Sequence, residues 1–527
     1  MPTKYYSRSL SVLSLLLLLS ACGVRRPQPQ PVVPPVKVDT TSIELTPWVR
    51  PTGDSIRQEM RGVWLTTVWG LDWPKDKADT PDGIRRQKES LDRTLRRLKA
   101  DGYNTVFLQV RHSGTTLYRS PYEPASPAIA GEGFFEAGYD PLTYAVEACH
   151  QLGLAVHAWM VTYPLVSPKR SPHPLLRDHA DWAIAHKGSY HLDPGNPEVR
   201  SYVAHLATDL ARRYAIDGVH FDYFRYPEAA ETFNDRTSYA RYGASFPSKA
   251  AWRRDNLPRQ LREVRDSLSS IGSDIQVSVA PLGKLKMIPD LGRSHGWTAY
   301  ESVYQDPETW GREGLVDFVV PMMYYRGDLY SPFLQDWKEK VAPYIPVIPG
   351  LAAYRVEESG WPSSVIAEQI AEEREVGLSG VCFFRELHTS SRFPLVRQVI
   401  EEAFASTALP LALKRGEATA PAAPEGLHAV FVSKKEFNLS WTLPRGASTR
   451  GITYRLWVTT TDSHGRRTAT LLAQGLRSPE CRLTLEDFVG DDCAEFGVEA
   501  VNSFGVATPI AHGLELNLAA LRLEQQH

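Results

Sequence analysis

The stretch DGVHFDYFRYP, residues 217–227, has the alternation of a buried β-strand but carries polar side chains that such strands seldom contain. His220 and Asp222 point to the face opposite the valine and the first phenylalanine, and Arg225 follows between two tyrosines. A carboxylate buried alone is costly unless it is paired. The stretch therefore predicts a strand that ends in a functional site.

Strand-like runs of this kind recur and alternate with amphipathic helical stretches from about residue 58 to residue 405. In one helical stretch, SLDRTLRRLKADG, Leu91, Leu95 and Leu98 form one apolar stripe. Strict β/α alternation predicts an α/β fold, the (β/α)8 TIM barrel. A doubly wound open sheet is the alternative, but no glycine-rich phosphate loop follows the first strand. The predicted strands are residues 61–68, 104–110, 154–161, 217–223, 275–281, 317–325, 345–352 and 380–386.

The C-terminal part of the chain has a different pattern, with short β-type runs after the linker sequence ATAPAAPEG. Trp441, Tyr454 and Phe496, followed by AVNSFGVA, resemble a fibronectin type III module. Such an all-β sandwich is usually a spacer or a surface that docks other proteins, and nothing catalytic is expected in it. The predicted bounds are 58–405 for the barrel, 406–422 for the linker, 423–518 for the sandwich and 519–527 for the C-terminal tail.

The N-terminus predicts export and membrane anchoring. Two basic residues precede the apolar run LSVLSLLLLLSAC, which is too short to span a bilayer comfortably and is typical of a signal peptide, residues 1–21. Its end, Leu-Ser-Ala-Cys22, resembles a bacterial lipobox, in which the cysteine is acylated; an ordinary signal peptide with an incidental cysteine is the alternative. Residues 22–57 then form a Pro-rich tether. We expect a membrane-anchored lipoprotein of the bacterial envelope that faces the periplasm.

Charge and cysteine content exclude several classes of protein. A net charge of −2 gives no reason to expect nucleic acid as a partner. Cys149 and Cys382 lie on apolar faces and are predicted to be small buried side chains. Cys481 and Cys493 are close in sequence, and an exported chain permits a disulfide between them. No cysteine or histidine spacing predicts a zinc site.

Polar residues at the strand ends form the candidate site. In TIM barrels the C-terminal ends of the strands carry the chemistry, and alternation indicates which side chains point inward there. The alternatives are structural roles. Asp222 could form a salt bridge with Arg111 that stabilises the barrel, and the histidines could be hydrogen-bonded core residues. The residues expected to converge are Arg111, His157, Trp159, His220, Asp222 and Glu386, with Arg225 and Tyr325 at the mouth.

Paired carboxylates beside aromatic rings are what glycoside hydrolysis requires. One carboxyl protonates the leaving oxygen, and the other acts as nucleophile or activates water. Asp222 is the first candidate. For its partner, the sequence leaves open Glu386, Glu301, Asp306 and the weaker choice Asp328.

Several segments resemble one family in the same order, the glycosyl-hydrolase-like barrel proteins of group ten. They include RGVWLTTVWGLDWP, NTVFLQVR, LAVHAWM, LDPGNPEVR, DGVHFDYFRYP, RYGASFPSKAAWRRDN and VCFFRE, and they run from about Met60 to residue 400. That family includes exported bacterial lipoproteins, one of them a division-site enzyme that cleaves peptidoglycan strands lacking stem peptides. The resemblance implies a hydrolase acting on β-linked amino-sugar polymers.

Carried over by position, the resemblance puts Asp222 on the family's strand 4 aspartate and Glu386 on its strand 8 glutamate. Arg111 falls on a basic position after strand 2, and Asp306 on an aspartate that precedes a tryptophan. Relatives often have two consecutive aspartates at strand 4, where this chain has Asp222 and Tyr223. They also often have Asn-Pro-Tyr after strand 3, where this chain has Val-Thr-Tyr.

The same strand has a fainter likeness to the chitinase pattern Asp-Gly-x-Asp-x-Asp-x-Glu. The position of the final glutamate is Phe224 in this chain, which disfavours an acid at that position.

The sequence as a whole predicts a lipid-anchored glycoside hydrolase that cleaves peptidoglycan strands and needs neither metal nor cofactor. A non-catalytic glycan-binding scaffold and a hydrolase of dietary or host polysaccharide are the alternatives. The predicted catalytic residues are Asp222, Glu386 and Asp306, and the predicted substrate-binding residues are Arg111, His157, Trp159, His220, Arg225 and Tyr325.

Overall fold

The computed structural model describes residues 56–126, 138–165, 173–291, 295–510 and 513–524. The predicted signal peptide, the lipidation site Cys22 and nearly all of the predicted tether lie outside these residues. Within them, no helix combines the length and apolar character needed to cross a membrane.

Eight parallel strands form the first part of the fold. The sheet runs in the order β6-β5-β4-β3-β2-β1-β8-β7, and the bridges Val319–Val347 and Met322–Gly350 join its two ends. The predicted barrel is thus confirmed. The strands are β1 (Met60–Leu65), β2 (Thr105–His112), β3 (Ala155–Val161), β4 (Gly218–Asp222), β5 (Gln276–Val279), β6 (Phe318–Val319), β7 (Gly350–Leu351) and β8 (Gly380–Phe384).

Helices surround this barrel, and the first of them shows why they form. Thr80 caps its N-terminus by accepting from the Gly83 amide, and the predicted leucine stripe of residues 91, 95 and 98 is buried against the strands. The helices are α1 (Pro81–Ala100), α2 (Pro141–Gln151), α3 (Pro174–Asp178), α4 (Pro197–Arg213), α5 (Arg236–Tyr242), α6 (Lys249–Ser270), α7 (Ala299–Ser302), α8 (Pro307–Arg312), α9 (Ser331–Lys340), α10 (Tyr354–Glu358), α11 (Ser364–Val376) and α12 (Pro394–Ala403).

Two short strand pairs and one short strand complete this part. Thr115–Thr116 pairs with the end of β2, and Arg57–Gln58 pairs in parallel with Ala408–Leu409. An antiparallel hairpin, Ala183–His186 with Ser189–Leu192, lies in the connection after β3.

The strands separate two apolar layers. Side chains such as Val63, Val106 and Val219 face the helices and belong to the large core. Trp64 and Phe107, which follow Val63 and Val106 in the sequence, belong to a second cluster that fills the barrel interior. The alternation of small aliphatic and large aromatic residues therefore fixes which side chains point toward the barrel axis.

The C-terminal region contains two antiparallel sheets around one core, as the predicted all-β fold requires. One sheet has the order β9-β10-β13 and the other the order β12-β11-β14-β15, and Phe437, Trp441 and Phe496 are buried between them. The fibronectin type III likeness of this region stays a prediction. The elements are β9 (Glu425–Phe431), β10 (Glu436–Thr442), β11 (Thr453–Asp462), β12 (Arg467–Leu476), β13 (Glu480–Thr484), β14 (Asp491–Val501), β15 (Gly513–Asn517) and the helix α13 (Leu518–Glu524).

The four described cysteines are all free. Cys149 and Cys382 are buried, as predicted. Cys481 lies in β13 and Cys493 in β14, so they belong to different sheets, and the disulfide that the export route permits is not formed.

The sandwich packs against the N-terminal ends of the barrel strands. Gln276, at the start of β5, donates to the carbonyl of Ser503 at 2.6 Å, and Arg477 forms an ion pair with Asp217 at 3.1 Å. The C-terminal ends of the strands, which carry the chemistry in TIM barrels, lie at the opposite end.

Candidate active site

Asp222 ends β4 at the C-terminal mouth of the barrel and is only 6% exposed. Its Oδ2 accepts from Trp159 Nε1 at 3.1 Å, and its Oδ1 accepts from the Tyr223 amide at 2.6 Å. Tyr223 has a φ of 48°, a left-handed conformation, directly after the strand. Burial raises the pKa of the Asp222 carboxyl, while the charge of Arg225 opposes that rise. A carboxyl in such surroundings is suited to proton transfer or nucleophilic attack.

Aromatic rings surround this carboxyl. Trp159 packs against Phe384 with ring centroids 6.5 Å apart, and Phe384 packs against Tyr324 at 5.6 Å. Burial raises the pKa of Tyr324, and the negative charge of Asp222 raises it further, so the phenol lies within the field of the carboxylate. The mouth therefore combines a buried acidic group with an aromatic wall, which suits the apolar faces of sugar rings.

Arg225 and Tyr325 lie at the same mouth. The Arg225 guanidinium carbon lies 4.5 Å from the centroid of the Tyr223 ring. Burial raises the pKa of Tyr325, and the charge of Arg225 opposes the rise. The Lys284 ammonium lies 4.3 Å from the centroid of the Tyr325 ring. These two predicted binding residues are thus brought together.

Arg111 has a structural partner other than Asp222. Its Nη2 and Nε bind the two carboxylate oxygens of Glu123 at 2.6 and 2.7 Å, and both side chains are fully buried. Arg111 Nη1 also donates to the carbonyls of Val161 and Thr162, at the end of β3. This bidentate pair fixes the end of the strand that carries Trp159.

The two predicted histidines lie in the barrel interior. Trp64 Nε1 donates to His220 Nε2 at 3.1 Å, so Nδ1 carries the proton toward Ser278 Oγ at 2.9 Å. His157 packs against Phe107 at a centroid distance of 5.2 Å. A Cβ at Gly218 would lie 2.4 Å from His157 Nδ1, which explains the glycine at the start of β4. Burial lowers the pKa of His157 to about 4, so it is neutral near pH 7.

Glu386 and Asp306 have partners of their own. Arg97 of α1 donates to Glu386 at 2.6 Å, and burial raises the pKa of this carboxyl, opposed by the charge of Arg97. Asp306 caps α8, because its carboxylate accepts from the Thr309 hydroxyl at 2.9 Å and the Thr309 amide at 3.3 Å. Within the described ranges neither carboxylate shares a hydrogen-bond partner with Asp222. The identity of the second catalytic carboxylate stays a prediction.

Two further groups at the mouth were not among the predicted site residues. Asp72, in the loop after β1, forms an ion pair with Arg385 at 2.5 Å and accepts from the Thr66 amide at 2.8 Å. Trp69 in the same loop is 71% exposed and has a φ of 53°. The only sequence signal for Trp69 was a tryptophan beside a glycine in a loop that follows a strand.

The loop that carries Trp69 is held in place on both sides. The Gln109 side-chain oxygen accepts from the amides of Thr67 and Val68 at 3.0 and 2.8 Å. Lys75 donates to the carbonyl of Gly70 at 2.6 Å. An exposed aromatic ring presented by a fixed loop is suited to bind a ligand with little loss of conformational entropy.

In the part of the chain that the structure describes, no group of three or more His, Cys, Asp or Glu side chains is arranged to hold an ion.

The chain resembles known glycosyl hydrolases over most of its barrel. The profile of the family Glycosyl hydrolase-like 10 matches residues 59–362. The glycosyl hydrolase DigH of Escherichia coli K12 is 30% identical over 415 residues, which cover 71% of this chain and 91% of DigH. The glycosyl hydrolase YngK of Bacillus subtilis 168 is 28% identical over 321 residues, covering 57% of this chain and 62% of YngK.

Among solved structures, the PgaB (BpsB) glycoside hydrolase domain of Bordetella bronchiseptica aligns with a TM-score of 0.44 and 15% identity, over 65% of this chain and 99% of that domain. The profile match spans more than half of the chain, and the DigH alignment covers most of both proteins. The protein is therefore a member of the glycosyl hydrolase-like 10 family.

Proposed function

We propose that this protein is a lipid-anchored glycosidase that cleaves the glycan strands of peptidoglycan in the bacterial envelope. The observation that carries the proposal is Asp222, a buried carboxyl of raised pKa at the C-terminal end of a barrel strand and beside an aromatic wall. Family membership supports hydrolysis of a glycosidic bond. The lipobox-like sequence at Cys22 and the Pro-rich tether support a position at the envelope, where peptidoglycan is within reach.

In this proposal Asp222 acts in its ionised form, as nucleophile or as the base that activates water. As base, Asp222 takes a proton from a water whose oxygen bonds to the anomeric carbon; as nucleophile, its own oxygen bonds there and water later hydrolyses the glycosyl ester. In both cases the bond to the leaving oxygen breaks, and that oxygen takes a proton from a second acid. Trp159 and the Tyr223 amide hold the two oxygens of Asp222 in a fixed orientation. Aromatic rings around the carboxylate exclude water and strengthen its charge interactions with the substrate.

The test uses the full-length protein in detergent micelles. Bare glycan strands, peptide-bearing strands, chitooligosaccharides and a plant polysaccharide are incubated separately, and new reducing ends are sought by mass spectrometry. Release from either bacterial strand supports the proposal. Release from the plant polysaccharide alone would show that the substrate is such a polysaccharide and not peptidoglycan. Binding without release would identify the protein as a non-catalytic glycan-binding scaffold. Membrane fractionation tests the lipid anchor: an anchored protein is recovered only when the membranes are extracted with detergent.

Replacing Trp69 with alanine is expected to raise KM about tenfold with little change in kcat. The ring is exposed and rests on a fixed loop, so its loss removes ground-state and transition-state binding alike, about 1.4 kcal/mol. Steady-state kinetics on bare strands measure both constants. Tyr344→Ala, an exposed aromatic residue before β7 at the opposite end of the barrel, is the control. An unchanged KM for the Trp69 variant would remove this residue from the binding surface.

Replacing Trp159 with phenylalanine is expected to shift the acidic limb of the pH–activity profile to higher pH. The indole N–H stabilises the ionised Asp222, so its removal raises the pKa of that carboxyl, and the active ionised form then requires a higher pH. Profiles of kcat/KM against pH measure the shift. Trp182→Phe, which removes a donor to Glu198 instead, is the control. A shift of the alkaline limb alone would assign Asp222 the role of acid.

A further inference from the structure

A groove on the outer wall of the barrel is lined by aromatic rings that the proposed reaction does not use. It lies between the first turns of α4, the loop that contains Tyr122 and the connection after β3, and its volume is about 550 Å³. Sites for small ligands have volumes of about 300–1,000 Å³. None of the predicted site residues is among the described residues that line the groove. The groove is therefore a separate place where a ligand fits.

Two pairs of parallel rings line this groove. Tyr122 and His205 are both exposed and lie parallel to within 8°, with ring centroids 6.4 Å apart. The exposed His179 stacks on the buried Trp182 with ring centroids 3.8 Å apart and an angle of 16° between the rings. Flat aromatic faces of this kind suit the apolar faces of sugar rings.

Buried contacts hold these rings in place. Tyr202 packs edge-on against Tyr122 with ring centroids 6.3 Å apart, and it also packs against Trp182 with centroids 5.4 Å apart. The Tyr202 hydroxyl donates at 2.7 Å to Glu123, the carboxylate that also binds Arg111. Because the rings are positioned before a ligand arrives, binding costs little conformational entropy.

The polar groups of the groove indicate a neutral ligand that carries hydroxyl groups. Glu198 Oε2 accepts from Trp182 Nε1 at 2.7 Å, and its Oε1 has no donor among the described residues. Asp178 adds a second exposed carboxylate, paired with Arg177, which does not line the groove. No lysine or arginine is among the described lining residues. Carboxylates accept from sugar hydroxyls but repel an anion, so a neutral amino sugar such as N-acetylglucosamine matches both the rings and the charges.

The hairpin Ala183–His186 with Ser189–Leu192 connects this groove to the active-site mouth. It begins directly after Trp182. In its second strand, burial lowers the pKa of His191 to about 4, and the charges of His186 and Arg225 lower it further. His191 thus lies within the field of Arg225 at the mouth. A glycan chain that extends past Arg225 along this hairpin would reach the groove.

We propose that this groove is a second glycan-binding site, which holds a neutral sugar residue of the chain outside the mouth. The proposal rests on the function proposed above, because only a polymer is long enough to occupy both places. Binding at the second place raises the effective concentration of the chain at Asp222. The site therefore gives a preference for long strands over short ones.

The first test detects a ligand in the groove and needs no turnover. Full-length protein with Asp222→Asn in detergent micelles is treated with diethyl pyrocarbonate, and peptide mass spectrometry quantifies the modified histidines. Chitohexaose, a neutral chain of N-acetylglucosamine, is expected to slow the modification of His179 and His205 about tenfold at a concentration about ten times its Kd. His464, an exposed histidine of the sandwich, is the internal control and is expected to react at an unchanged rate.

Adding Tyr122→Ala to this protein is expected to abolish the protection. Tyr242→Ala removes an equally exposed tyrosine from α5, outside the groove, and is expected to retain it. No protection of either groove histidine by chitohexaose or by bare strands would overturn the inference. Protection by decaproline alone would assign the groove to a proline-rich peptide and would overturn it as well.

The second test measures the preference for long strands. Long bare strands and a tetrasaccharide prepared from them are compared as substrates of the protein with an intact Asp222. Tyr122→Ala is expected to lower the ratio of kcat/KM for the long strands to kcat/KM for the tetrasaccharide about tenfold, through a higher KM for the long strands. Tyr242→Ala is expected to leave the ratio unchanged. An unchanged ratio in Tyr122→Ala would show that the groove does not hold the substrate chain.

These outcomes differ from a failure of the proposed function. If the unmodified protein cleaves no bacterial strand, the substrate proposal fails, whereas protection of His205 by chitohexaose would still establish the sugar site. Thermal unfolding of each variant shows that it is folded, so that lost protection reports the groove itself.

Discussion

Protein carrying Asp222→Asn is expected to release no measurable reducing ends from strands that the unmodified protein cleaves, a loss of about 10³-fold or more in kcat. The amide can neither attack the anomeric carbon nor take a proton from water, and both roles depend on the ionised carboxylate. Side-chain size hardly changes, so binding of the strands is expected to survive. Time courses of reducing-end formation and a separate binding titration measure the two effects.

Folding of this variant is expected to change little, because two effects oppose each other. The asparagine has one acceptor oxygen, whereas Asp222 accepts separately from Trp159 and from the Tyr223 amide. One donor is left unpaired, which costs stability. The substitution also removes a buried charge that burial disfavours, as the raised pKa of Asp222 shows.

The matched control is Asp336→Asn in α9. Asp336 is also a buried carboxyl whose pKa is raised by burial, but it pairs with Lys340 on its own helix. It is expected to keep full activity. Activity retained by the Asp222 variant would remove this residue from the chemistry, and loss of activity in both variants would point to a general effect of buried carboxyls on folding.

The barrel was predictable because β/α alternation is a periodic property of the chain. The lengths of its strands were less predictable. Residues 317–325 and 345–352 were predicted as long strands, whereas β6 and β7 have two residues each. Pro321 and Pro349 lie in these runs and have no backbone N–H, so they interrupt the ladder and leave only isolated bridges around it.

Side-chain partners were harder to predict than strands. Alternation placed Asp222 and Trp159 on inward faces of neighbouring strands, and the two do form a hydrogen bond. Alternation could not show that Arg111 pairs with Glu123, because Glu123 lies in an irregular segment whose side chains follow no strand or helix periodicity. Nor could it show that Trp69 is exposed, since that depends on a left-handed residue in a loop. The sequence contains the residues of such contacts but no repeating pattern that reports their geometry.

Replacing Glu123 with glutamine is expected to destabilise the barrel by about 3–5 kcal/mol, because Arg111 would keep its charge in a fully buried position without a carboxylate. The new amide presents an N–H to the guanidinium where an oxygen stood. It also disturbs the hydrogen bond that the Tyr202 hydroxyl donates to Glu123 at 2.7 Å. Urea unfolding followed by tryptophan fluorescence measures the change as a lower midpoint.

Glu89→Gln supplies the control for this effect. Glu89 pairs with Arg85 on the exposed face of α1, where water solvates both charges, so the midpoint is expected to stay unchanged. Equal midpoints for the two variants would show that the Arg111–Glu123 pair contributes no more than a surface pair. A large shift for Glu123→Gln alone would also predict lower activity, because Arg111 binds the carbonyls of Val161 and Thr162 and so holds the end of the strand that orients Asp222 through Trp159.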